Sequence, residues 1–90
     1  MRVDILKLAK LIDELTVQRD NLKKNKDLLE EIKNRMNLAW EDDTRWEEEG
    51  RPVVTRIISS TEDMITLFSN TIVSLESWLE RIKIQMNRRG

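Results

Sequence analysis

Ninety residues make a single domain at most, and this chain has no His, no Cys and no Tyr. Those absences exclude an ordinary zinc site, a Ser-His-Asp or Cys-His nucleophile pair and any disulfide framework. Sixteen Lys and Arg against seventeen Asp and Glu give a net charge of −1, and the charge is spread without a basic stripe for nucleic acid or a polybasic membrane patch. Two Gly, one Pro and abundant Leu, Ile, Glu, Lys and Arg are the composition of long helices.

The first segment carries a heptad period. One row reads Leu8, Leu15, Leu22, Leu29 and Met36; the other reads Ile5, Ile12, Arg19, Lys26, Lys33 and Trp40. Leu11, Ile32 and Ala39 widen the seam where the second row turns basic. No Gly or Pro occurs before Gly50, and Asp4 is placed to cap the start. The pattern predicts a helix over about residues 4–40.

The period then vanishes. Residues 41–51 hold six Asp or Glu against two Arg, and end at Gly50 ahead of Pro52. This stretch reads as the bend of a hairpin. Its acids fit no calcium-loop spacing, so a solvated bend outweighs a metal site. Asp42, Asp43 or Thr44 has the plain job of capping the next helix. Trp46, isolated among charges, either folds back over the tip or serves as an aromatic anchor for a partner.

The second segment is stricter, with Ile58, Ile65, Ile72, Leu79 and Met86 in one row and Val54, Thr61, Phe68, Leu75 and Ile82 in the other. Ile57, Met64 and Trp78 broaden its face, and the helix is predicted to run to about residue 88. Folded about the middle of the bend, Leu8 faces Met86, Leu22 faces Ile72 and Trp40 faces Val54. A register one heptad shorter, with Leu8 on Leu79 and Leu22 on Ile65, satisfies the same rows. The choice depends on where the chain turns. A capping-box spacing at Thr44 and Glu47 favours a turn near Asp42, with the second helix then bending or breaking near Arg51 ahead of Pro52.

The expected fold is all-α: one antiparallel two-helix hairpin spanning residues 1–90, dimerising into a four-helix bundle. Apolar residues off both seams suggest a second covered face. On it the sequence nominates Leu6, Val17, Leu28, Leu67, Val73 and Trp78 as partner interface. A hairpin offers no cleft for paired carboxylates, so no enzyme activity, cofactor or metal is expected. The N-terminal stretch reads as no secretory signal and no run approaches a membrane span, so no membrane insertion is expected.

A chain of this length, with two amphipathic helices and a Trp at the bend, resembles the Trp-x-Gly family of small helical hairpins associated with bacterial type VII secretion. The family's Trp falls on Trp40 and its Gly position on Asp42, and Trp46 is the nearest candidate for the aromatic that follows. The family's secretion tag, Tyr-x-x-x-Asp/Glu, is absent. The resemblance implies a protein partner, as a homodimer or as a heterodimer with another helical hairpin or a helical toxin domain. It also implies a co-secreted partner, adaptor or chaperone, cytoplasmic or exported without a signal peptide. The plainer alternative is a structural coiled-coil subunit or small regulator unrelated to secretion.

Overall fold

A computed structural model describes residues 4–89. It is a hairpin of two long helices, α1 (Ile5–Ala39) and α2 (Arg51–Arg89), with a π-helical turn (Trp46–Gly50) running directly into α2. The rod measures 70 × 17 × 16 Å. The all-α hairpin expected from the two heptad segments is the observed architecture.

Asp4 starts α1 because its short carboxylate reaches back over the first turn. Its Oδ1 accepts from the backbone N–H groups of Leu6 at 3.0 Å and Lys7 at 3.2 Å, two donors that have no partner inside the helix. The helix then runs 35 residues without interruption. Its inward rows bury Leu8 and Ile12 against Ile72 and Leu79 of α2, with Ile5, Ala9, Leu15, Leu75 and Ile82 packed around them. Arg19 and Lys26 occupy the same seam further along, half-buried. Their aliphatic stems line it while the charged ends reach Asp20 at 3.3 Å and Glu62 at 3.3 Å.

Which residues share the core decides the register. Leu8, Ile12, Ile72 and Leu79 meet in one cluster only if Leu8 lies opposite Leu79; with Leu8 opposite Met86, Ile72 would be several helical turns away. Met86 is 57 % exposed, and the Lys26–Glu62 ion pair crosses the hairpin at the corresponding level. The register is therefore the one-heptad-shorter alternative that a turn near Asp42 implies, with Leu8 on Leu79, and not the Leu8–Met86 pairing of a fold about the middle of the bend.

The cause is the turn, which is shorter and earlier than the bend read over 41–51. The chain reverses at Trp40–Asp43 and is helical again from Thr44. Loss of apolar period in 44–50 reflects exposure, not loss of helix: Glu47, Glu48 and Glu49 lie in the first turn, where the positive end of the helix dipole favours them. Nor does the helix break at Arg51, as Pro52 suggested. Arg51 keeps helical angles (φ −58°, ψ −43°), and its N–H donates to the Trp46 carbonyl, five residues back. Pro52 has no N–H to donate and its ring crowds the carbonyl four residues earlier. One wide turn takes up that misfit, and the helix continues through Pro52.

Candidate functional site

The tip is built from its hydrogen bonds upward. Trp40 ends α1, its N–H still bonded to the Met36 carbonyl at 2.9 Å, and Asp43 N–H closes the turn on the Trp40 carbonyl at 3.1 Å. Asp43 is the cap of the second helix: its Oδ1 accepts from the N–H groups of Arg45 at 2.8 Å and Trp46 at 3.3 Å. Asp42 sits exposed in the turn itself. No non-glycine residue among those described has positive φ, so the position the family gives to Gly makes no demand here that Asp cannot meet.

Trp46 is the residue the tip closes over. It folds back instead of standing out as an anchor, and is 6 % exposed. Its indole Nε1–H donates to Asn37 Oδ1 at 2.9 Å, tying the second helix to the last turn of α1. Trp40 covers the other side, with ring centroids 5.6 Å apart and planes tilted by 59°, but remains half-exposed. Gly50, one turn on from Trp46, leaves the space the ring fills: a Cβ there would stand 2.6 Å from Trp46 Cε3. Of the three bend residues nominated from sequence, Trp40 and Trp46 thus pack together and Asp42 does not join them. Asn37, Asp43 and Gly50 complete the tip. Asp43 was among the caps the sequence offered; the signal for Gly50 was its i, i+4 spacing from Trp46, legible only once that stretch is known to be helical.

The six nominated interface residues, Leu6, Val17, Leu28, Leu67, Val73 and Trp78, are all exposed, from 40 % at Trp78 to 82 % at Leu6. They do not form one patch. Relative to the buried seam, Leu67, Trp78 and Leu28 fall towards one side of the hairpin, Leu6 and Val73 towards the other, and Val17 at the back of α1. Larger exposed apolar side chains also include Leu11, Ile57 and Met64.

Among the described residues, no group of three or more Asp or Glu converges as a metal site would require, and no helix is long and apolar enough to cross a membrane. What the molecule presents is the half-exposed indole of Trp40 at the tip and separate exposed apolar side chains along both helices. No protein-family model, no curated protein and no solved structure matches this chain.

Proposed function

We propose that the chain is a non-enzymatic interaction module of the kind that accompanies bacterial type VII secretion, acting as co-secreted partner, adaptor or chaperone. One observation carries this reading: the chain reverses within Trp40–Asp43, at the Trp40-Glu41-Asp42 triplet that resembles the family motif, with Trp46 packed behind it. A turn at Gly50, the alternative to the early turn that the Thr44–Glu47 spacing favoured, would have carried no such likeness. Lacking a Tyr-based tag, the chain travels with a tagged partner instead of directing export alone.

The absence of Tyr and the Asp at position 42 favour the second reading, a structural hairpin with no part in export. An export assay separates them. In a host with an active type VII system, the chain should reach the medium when co-produced with a tagged helical partner, and stay in the cell when the system's ATPase is inactivated. Retention in both strains, with the tagged partner exported normally, would remove the secretion reading.

A further inference from the structure

Three basic residues, Arg19, Lys26 and Lys33, recur at heptad spacing along the seam of α1, and each is half-buried. Two of them have a carboxylate partner: Arg19 meets Asp20 at 3.3 Å, and Lys26 meets Glu62 at 3.3 Å. Lys33 has none among the described residues. The Lys26–Glu62 pair sets the level of the two helices, so one heptad nearer the tip Lys33 lies across from Thr55. On α2, Arg51, Thr55 and Ser59 are spaced by four and share one face, with Arg56 beside them. Arg51 is held by Glu47 at 2.8 Å, whereas Arg56 has no carboxylate in ion-pair range among the described residues.

Lys33, Arg51, Thr55, Arg56 and Ser59 line one shallow depression of about 590 Å³, together with Pro52 and Glu47. It runs into a second depression between the helices through Lys33, Arg51, Thr55 and Ser59, which line both. The first depression gathers three cations against one carboxylate, in a chain whose net charge is −1. Like charges brought together repel, and a half-buried ammonium has lost part of its water as well. An anion seated among them relieves both costs. The place is also irregular in backbone: Arg51 follows directly on the π-helical turn, a feature that recurs at functional sites.

We propose that this depression binds the phosphoryl group of a small organic phosphate. The charge matches: three cations less Glu47 leave +2, and a phosphomonoester carries about −1.5 to −2 near neutral pH. The donors match too. Two guanidinium forks, an ammonium and two hydroxyls serve oxygens that point in several directions, whereas a carboxylate offers two oxygens in one plane and a single charge. The volume lies within the roughly 300–1,000 Å³ of small-molecule sites, and leaves room for the body of the ligand against Pro52 and the aliphatic stems of the basic residues. The surroundings select a small ligand over a polyanion. Glu30 and Glu62, both held by Lys26, stand towards the open end, and Glu47, Glu48 and Glu49 stand towards the tip. A nucleic-acid strand running along the groove would meet carboxylates on both sides of one basic spot. The site is independent of the secretion reading, and the export assay bears on neither its presence nor its absence.

Backbone amide NMR on the full chain tests it. Glycerol 3-phosphate, inorganic phosphate and acetate are titrated separately, with ionic strength held constant by sodium chloride. Glycerol 3-phosphate should give saturable shifts centred on Lys33, Arg51, Thr55, Arg56 and Ser59, with a Kd of about 1 mM or tighter. Inorganic phosphate should shift the same residues more weakly, and acetate should leave them in place. Lys33→Met and Arg56→Gln should each weaken binding about tenfold, as expected for the loss of one charge-assisted bond. Arg81→Gln, at the open end, should leave binding unchanged. Because Lys33→Met keeps an unbranched apolar stem in the seam, its circular dichroism should show an intact hairpin. Shifts that acetate reproduces, or that survive Lys33→Met and Arg56→Gln combined, would overturn the site. So would the absence of saturable shifts with either phosphate up to about 10 mM. Binding of single-stranded oligonucleotides that tightens with their length and outranks glycerol 3-phosphate would overturn it as well, in favour of a polyanion.

Discussion

Ile72→Asp is expected to unfold the hairpin. Ile72 is the most buried large side chain described, at 2 % exposure, and it joins Leu8 and Ile12 of α1 to Leu79 of α2. Truncating a buried Ile to Ala costs about 2–5 kcal/mol, and an unpaired carboxylate at the same place adds several more. Small domains hold roughly 5–15 kcal/mol in all, and a rod with six buried apolar residues among those described lies towards the low end. Helical circular dichroism at 222 nm should therefore collapse at room temperature. Asn70→Asp, two residues away on the exposed back of α2, supplies the control and should leave both helicity and melting temperature nearly unchanged. If Ile72→Asp stays folded and melts like the control, the hairpin is not held by this cluster.

Gly50→Ala should destabilise the protein, although it replaces Gly with the best helix former inside a helical stretch. Helix propensity alone favours the change by about 1 kcal/mol. Against it stands the new Cβ, 2.6 Å from Trp46 Cε3 and 3.0 Å from Cζ3. Those atoms belong to a ring that cannot easily step aside, held at its other edge by Asn37 and covered by Trp40. Overpacking of this kind costs about 1–3 kcal/mol, so the clash should win. The sign should reverse when the ring is gone: in a Trp46→Leu background the same Gly50→Ala change should stabilise, by up to ~1 kcal/mol. Urea unfolding of the four proteins gives the cycle. Stabilisation by Gly50→Ala in both backgrounds would show that Trp46 does not need the space.

The heptad rows made the two helices and their antiparallel pairing legible, because period is a property of each segment alone. Register was not in the rows, which look the same at every seven-residue step; the pointer to it was the Thr44–Glu47 spacing, which favoured the early turn that is observed. It is set by a turn whose bonds involve backbone groups: the Asp43 carboxylate on the N–H groups of Arg45 and Trp46. Asp42, Asp43 and Thr44 are all good caps, and nothing in their order says which one the chain uses. The seven residues from Thr44 to Gly50 lacked an apolar rhythm because only Trp46 turns inward there, and one buried side chain makes no period. At the tip, Asn37 was invisible as an acceptor for Trp46 because the bond spans the turn.

The distribution of buried residues along the rod bears on how it closes. Trp46 and Ile58 lie towards the turn, the cluster around Leu8 and Leu79 lies at the open end, and the half-buried Arg19 and Lys26 lie between them. Contacts at the tip join residues close in sequence, so they cost little chain entropy. Those at the open end enclose nearly the whole chain, roughly 2 kcal/mol dearer from the logarithm of loop length alone. Closure of each hairpin should therefore begin at the indole of Trp46 and advance past the basic stretch before the richest apolar contacts form. Stopped-flow kinetics would read this as an asymmetry: Trp46→Leu should chiefly slow folding, and Leu79→Ala should chiefly hasten unfolding. Equal partition at both positions would argue for closure along the whole length at once. The open end is thus the lock and the tip the hinge, so the residues that keep the hairpin shut are the last to engage when it forms.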